Sequence, residues 1–450
     1  MKKYFILLFL PLVSCKKFLE LDPPNNQVTT DRVFQSDETA IASVSGIYSE
    51  MMATPELFAN SGVTFYTGLY ADELQYYSPS DRDQFTNNAI TEGAHSGIDN
   101  NFWSGTYKFI YAVNLVLEKL EHSTGVTTLV RDRLVAECKF VRAFCYFYLV
   151  NLFGDVPLVA SSDYEVNAKM PRTPVSTIYQ FMKKDLSESA AVLPSTFVNN
   201  ERVRPTKFAA LALLARVQLY LGEWTQADEI SSQVIASTSF SLVMNPANVF
   251  LKNSTEAIWQ LLPVSSNVNT YEGSIILPAT ATTAPTYIFP LALVNSLEGT
   301  DKRKAWFTSR VYLSQIIYYP TKYLVKQNAI VTEYYMVLRL AEQFLIRSEA
   351  RAQLDRLSDA FSDLNVIRSR AGLTALSSLN KIDLLLAIEK ERRIEFAAEW
   401  GHRWFDLKRT GRAAAVLAPI KSGWQNTDVL WPIPYQQLRL NSFLNQNDGY

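Results

Sequence analysis

Apolar positions recur at helical spacing along much of this chain. Ala40, Val44, Ile47 and Met51 share one face and predict a helix over 36–53. Tyr107, Ile110, Tyr111, Asn114 and Leu117 do the same for 103–121, with Trp103 opening that helix as a core residue. The stretch 127–153 is dense in Leu, Val, Ala and aromatic residues and stops at Gly154, which is followed by Asp-Val-Pro. Further helices are predicted over 177–193, ending at Pro194, over 206–221 and 224–236, split by Gly222, and over 336–353, 358–371 and 381–400. The intervening stretches differ. Residues 54–102 mix Tyr, Asn, Asp, Ser and Gly, and residues 240–335 hold short β-like runs at 257–262 and 310–319. Between those runs lie loops rich in Thr, Ala, Pro and Asn, above all 263–290, and loops of such length usually carry function. The expectation is a mainly α fold with one irregular, loop-rich face.

Some helix pairs look repeated. Ala215, Gly222 and Ala227 sit where tetratricopeptide-like hairpins place small residues, and Ser348, Asp355 and Ala360 fall at matching offsets in the later pair. Small residues there let two antiparallel helices approach, and neighbouring hairpins must stack to bury their apolar faces.

The N-terminus adds an address. Lys2 and Lys3 precede an apolar run over 4–13 that is too short for a membrane span of ~20 residues. The run ends in Leu12-Val13-Ser14-Cys15, the look of a bacterial lipoprotein signal cut before a cysteine whose thiol is lipidated. Residues 1–14 are expected to be the signal peptide and Cys15 the lipid anchor, with everything after it exported. The chain has 450 residues, 48% hydrophobic and 19% charged, enough for a large core. A net charge of −1 argues against nucleic acid as a partner. Cys138 and Cys145 lie seven apart in a helical stretch, ~10 Å along its axis, too far for the ~7 Å that a disulfide tolerates. Two buried thiols are expected.

Several blocks resemble one known family. They begin with Cys15-Lys16-Lys17-Phe18-Leu19-Glu20-Leu21-Asp22-Pro23-Pro24. Next come Arg142-Ala143-Phe144-Cys145-Tyr146-Phe147-Tyr148-Leu149-Val150 and Phe153-Gly154-Asp155-Val156-Pro157. Arg204-Pro205-Thr206-Lys207, Ala212-Leu213-Leu214-Ala215-Arg216 and Gly222-Glu223-Trp224 follow, then Leu338-Arg339-Leu340-Ala341-Glu342, Arg347-Ser348-Glu349-Ala350 and Arg370-Ala371-Gly372-Leu373. The last are Glu391-Arg392-Arg393-Ile394-Glu395-Phe396, Arg403-Trp404-Phe405-Asp406, Leu430-Trp431-Pro432-Ile433-Pro434 and the closing Asn445-Gln446-Asn447-Asp448-Gly449-Tyr450. In this order they resemble the SusD/RagB family of outer-membrane nutrient-binding lipoproteins. The resemblance implies a SusD-like domain over 15–450: an N-terminal part to about 230, a loop-rich insertion over 231–335 and a C-terminal part over 336–450. It implies four tetratricopeptide-like helix pairs under a variable face, no catalytic activity and an outward-facing place on the outer membrane. It also implies a partner, a SusC-like TonB-dependent transporter barrel, over which the protein acts as a lid delivering captured oligosaccharide or, as in the RagB branch, peptide.

In that family, ligand contacts cluster after an Asp-Glu segment and in the central insertion. Here Asp72-Glu73 precedes Tyr76, Tyr77, Arg82, Asn87 and Asn88, and the insertion offers Tyr271, Tyr287 and Phe289. The chemistry suits a sugar, whose apolar ring face stacks on an aromatic side chain while amides and charged groups bond its hydroxyls. For each ring the competing reading is plain packing, the reading adopted for Trp103, Trp404 and Trp431. Glu391, Glu395 and Glu399 lie on one helix face and are expected to pair with arginines in a scaffold network rather than act as the paired carboxylates of a surface glycoside hydrolase. His95, His122 and His402 are scattered, without a metal-site spacing, and no nucleophile elbow or phosphate loop is present. No cofactor is expected, although Asp81 and Asp83 offer loop oxygens of the kind calcium takes. A third reading is a purely structural lid with no ligand of its own.

Overall fold

The computed structural model describes residues 30–91 and 97–450. The proposed signal 1–14, the anchor Cys15 and His95 lie outside the described residues. Helix α1 (Asp37–Ala53) begins at Ser36, whose side chain accepts the Thr39 N–H. After it come α2 (Val63–Tyr70), α3 (Ser104–Glu121), α4 (Thr128–Phe153), α5 (Val175–Val192), α6 (Lys207–Leu221) and α7 (Trp224–Ile235). The C-terminal part adds α8 (Leu340–Gln353), α9 (Leu357–Arg370), α10 (Lys381–Glu395) and α11 (His402–Arg409). Helices α3 to α9 form a tetratricopeptide-like series in which each packs on the next, and α10 closes against α8 and α9. Gly222, at φ +70°, ends α6 in the left-handed conformation and turns the chain directly into α7.

Buried or half-buried arginine–carboxylate forks tie the helices together. Arg142 on α4 holds Asp185 on α5 through two bonds of 2.8 and 2.9 Å. Arg216 on α6 holds Glu342 on α8 at 2.6 and 2.7 Å, and Arg347 on α8 holds Asp363 on α9 at 2.9 and 2.6 Å. Cys138 and Cys145 are free and buried on α4, as the spacing predicts, and burial pushes both thiols up.

Three predictions of local structure need correction. Residues 54–102 are not uniformly irregular, because α2 lies within them with every residue buried. A helix covered on all sides has no polar face, so its period leaves no trace in the sequence. The run 310–319 is not one strand but a hairpin of β4 (Phe307–Tyr312) and β5 (Gln315–Pro320). Its turn residues, Leu313 and Ser314, take φ of +47° and +66° without the usual Gly or Asn signal. The predicted helices 336–353 and 381–400 are each shorter. Tyr335–Arg339 is strand β6, fully buried and antiparallel to β2 (Ala257–Leu261), and α10 stops at Glu395, before Ala398 and Trp400 at positive φ.

The insertion is bolted to the helices by charge. Arg339 donates to Glu256 (2.8 Å), Glu395 (2.5 Å) and Glu399 (2.8 Å), and Arg370 donates to Glu256 at 2.9 Å. Arg303 pairs with Asp301 and Glu391, and Lys322 donates to the Glu395 carbonyl at 2.9 Å and to the Glu399 carboxylate. Glu391, Glu395 and Glu399 are thus paired with cations as the sequence suggests, but two of those partners, Arg303 and Lys322, come from the insertion.

Candidate ligand-binding face

The face is assembled by backbone pairing between segments about two hundred positions apart. Strand β1 (Gln75–Tyr76) runs antiparallel to β3 (Tyr287–Ile288), with Tyr76 opposite Tyr287. The Tyr77 N–H donates to the Thr286 carbonyl at 3.0 Å, and the Phe289 N–H donates to the Tyr318 carbonyl at 2.7 Å, carrying the pairing on to β5. The loop after Asp72-Glu73 and the central insertion therefore meet, as the resemblance implies. Asp72 fixes where that loop leaves the scaffold. Its carboxylate takes Arg403 of α11 at 2.7 Å and Arg393 of α10 at 2.6 Å.

Around this pairing sits a cluster of phenol rings about one cation. Arg82 donates to Glu56 Oε1 at 2.5 Å, with its guanidinium 5.0 Å from the Tyr76 ring centre and 5.9 Å from that of Tyr66. The Tyr66 hydroxyl donates to Glu56 Oε2 at 2.8 Å. Burial, reinforced by the Glu56 charge, pushes that phenol up and keeps it a donor. Tyr77 meets Tyr312 of β4 edge-to-face at 5.4 Å, and Tyr76 meets Tyr287 at 5.2 Å. Tyr271 opens a short helix, Tyr271–Ile276, capped by the Thr270 hydroxyl, which accepts the Gly273 N–H at 3.1 Å. Burial and the Glu56 charge both raise the Tyr271 phenol.

Tyr76, Tyr77, Arg82 and Tyr271 are half-buried, and Asn87 is exposed. These can touch a ligand. Three other candidates cannot serve as open contacts. Tyr287 is buried, stacked on Phe65 at 4.2 Å and 15°. Phe289 is buried against Phe307 at 4.5 Å. Asn88 is buried at φ +51°, donating to the Tyr70 carbonyl at 3.1 Å. Residue type alone marks all three as candidates, and packing decides against them: Tyr287 backs the half-buried Tyr76 ring, while Phe289 and Asn88 pack against Phe307 and the Tyr70 carbonyl. Trp103, Trp404 and Trp431 are buried, as expected of scaffold residues. Asp83 closes its own turn by accepting the Ser80 N–H at 3.2 Å.

Sequence reasoning missed Glu56, Tyr66 and Tyr312. Glu56 carries no signal, since it joins the cluster through a positive φ of 59°. Tyr312 was legible as an aromatic of a β-like run, but only the hairpin brings it to Tyr77. Two carboxyls lie just beneath. Glu73 is 1% exposed with neither oxygen hydrogen-bonded among the described residues, and burial pushes it up to about 8. Glu272 accepts the Tyr335 hydroxyl at 2.8 Å and is pushed by burial up to about 7.

Comparison with known proteins gives a consistent result. A family model described as "Starch-binding associating with outer membrane" matches residues 17–219, and a model of the SusD family matches residues 297–450. A SusD-like protein of Formosa agariphila is 28% identical, with 100% of both chains covered. A second from that organism is 25% identical over 99% of this chain and 97% of its own. A solved SusD superfamily protein of Bacteroides vulgatus superposes with a TM-score of 0.82 at 19% identity, covering 92% of this chain and 99% of that one. A structure described as a laminarin binding SusD-like protein gives 0.78 at 24% identity, with 92% and 100% covered. These superpositions establish a shared fold.

Proposed function

We propose that this chain, which belongs to the SusD/RagB family, captures neutral glycan fragments on the face formed by Tyr76, Tyr77, Arg82, Asn87 and Tyr271. SusD-like proteins are binding proteins, and the family is associated with the outer membrane. Among the described residues no helix is long and apolar enough to cross a membrane. Lipidation at Cys15 would supply the attachment, and a SusC-like TonB-dependent transporter would receive the ligand when this chain closes over it as a lid.

The observation that carries the reading is the β1–β3 pairing. It gathers half-buried tyrosines from two distant loops around Arg82, which gives flat apolar platforms beside a charged donor. Each ring can cover the C–H face of a pyranose, and the guanidinium and amide can bond its hydroxyls. The laminarin binding neighbour supports a neutral glycan as the ligand class.

Calorimetric titration of the lipid-free chain with laminarin- and starch-derived oligosaccharides, and with oligopeptides, tests this. Tyr76→Ala and Tyr77→Ala are each expected to weaken glycan binding about three- to tenfold while the fold persists, in line with the ~0.5–1.5 kcal/mol of a ring contact. Binding of peptides with no glycan bound would transfer the face to the RagB-like role. Copurification with the barrel but no ligand of either kind would leave only a structural lid.

A further inference from the structure

A second concavity shares no lining residue with that face. It is a groove of about 490 Å³ between α3, the segment around 157–168 and the C-terminal stretch 437–444. Trp103, Tyr107 and Tyr111 recur every fourth residue along its α3 wall, ~6 Å apart along the axis. That step is comparable to the length of one pyranose unit. Trp103 is the buried floor, with its ring 5.4 Å from that of Tyr107, whose hydroxyl is fixed on the Pro157 carbonyl at 2.7 Å. Tyr111 was expected in the core beside them, yet it is 45% exposed, and Tyr164 across the groove is 73% exposed. Two large rings therefore face solvent beside two that are held rigid.

The rest of the lining narrows the occupant. Among the described residues no carboxylate, amine, guanidinium or imidazole lines it, and beside the tyrosine hydroxyls its polar members are Ser104, Asn167, Gln437 and Asn441, with the Asp99 carboxylate behind Ser104 and Gln437. An acidic polysaccharide, a nucleotide or a charged peptide would find no counter-charge here. Ser104 and Gln437 donate to Asp99, and Asn167 and Asn441 donate to the Ser161 and Met170 carbonyls, so these side chains are held in place and offer a ligand their remaining amide hydrogens. Flat aromatic surface edged by neutral donors and acceptors complements a neutral sugar chain on both its apolar face and its hydroxyl rim. We infer that this groove is a second binding site for a neutral oligosaccharide, with Tyr111 and Tyr164 as its accessible platforms over Trp103 and Tyr107.

The inference does not depend on the first face, and the variants keep the two apart. Tyr111→Ala/Tyr164→Ala removes two exposed rings and leaves the floor intact. It is compared with Tyr76→Ala/Tyr77→Ala and with the quadruple variant, using laminarihexaose, maltohexaose and polygalacturonate as probes. The groove variant is expected to lose about tenfold in affinity for a neutral hexaose, and the quadruple variant more than either pair. Hydroxyl-radical footprinting of the wild type with saturating hexaose is expected to protect Tyr111 and Tyr164. Loss in the groove variant with none in Tyr76→Ala/Tyr77→Ala would sustain the groove and sink the first face. Unchanged affinity in the groove variant, unprotected Tyr111 and Tyr164, preference for polygalacturonate, or no neutral hexaose bound by the wild type would each overturn the inference.

Discussion

Arg216 and Arg82 both grip a glutamate, but in different settings. Arg216, in the helical stack, is 2% exposed in its side chain and forks onto Glu342, itself 2% exposed. Arg82, on the candidate face, is 26% exposed, bonds Glu56 from one side and lies against two tyrosine rings. The stack repeats the first arrangement at Arg142–Asp185 and Arg347–Asp363, each time between two helices. The face has loops from distant parts of the chain joined by two short strands and ring edges. The stack is thus locked by charges largely withdrawn from water, while the face keeps its polar groups nearer to solvent. Rigidity and adaptability are divided between regions of one chain.

The largest effect that would test this division comes from cutting one fork of the stack. Arg216→Met leaves Glu342 buried without its partner and is expected to cost ~3–5 kcal/mol in urea denaturation, with Arg216→Met/Glu342→Leu recovering most of it. Arg82→Met, on the face, is expected to cost only about 0–1 kcal/mol. Equal losses at the two arginines would erase the contrast.

Glu73 sits where the two regions join, beside the Asp72 anchor and near Lys322, Arg393 and Arg403. The unfolded chain releases its proton near 4.5, and the folded chain holds it to about 8. Between those values the native state binds more protons than the unfolded state, so its contribution to stability is lost as pH rises through that window. Glu73→Gln stays neutral throughout. It is expected to match the wild type near pH 4 and to exceed it by roughly 2–4 kcal/mol at pH 8.5. Comparing the two proteins cancels Lys408 and Lys421, which burial pulls down to about 7 and about 8 and whose pH dependence has the opposite sign. Parallel stability curves across pH 4–8.5 would remove Glu73 from this role.

The smallest test pairs two glycines. Gly401 holds φ +70° where α11 meets α2, and an added Cβ would lie 2.4 Å from Thr67 Oγ1. Gly46, within α1, has nothing within 4 Å of that position. Gly401→Ala is expected to destabilise by about 1–3 kcal/mol and Gly46→Ala to stabilise by about 0.5–1 kcal/mol, read as opposite shifts in thermal midpoint. Shifts of the same sign would show that the joint is looser than its geometry.

Much of the scaffold is legible in the sequence. Gly222, Ala215 and Ala227 marked the α6–α7 hairpin, and the glutamates of α10 announced a network of arginines. Where helices were over-extended, at 336–339 and 396–400, the apolar period continued but β-pairing or positive φ interrupted it. The two regions that the sequence marks as candidate ligand loops do pair with each other through β1 and β3. Which rings within them reach solvent was not legible, since Tyr76 and Tyr287 are the same residue type on paired strands and only Tyr287 has Phe65 beneath it.

The order of the stacked helices, the small residues at their crossings and the family's motifs follow from the sequence itself, because helical contacts repeat every three or four residues and are written locally. The meeting of β1 with β3, the capture of Arg82 by Glu56 and the exposure of Tyr111 and Tyr164 were decided only by the tertiary structure. Those contacts join positions far apart, and whether a ring is covered depends on what the rest of the chain brings to it.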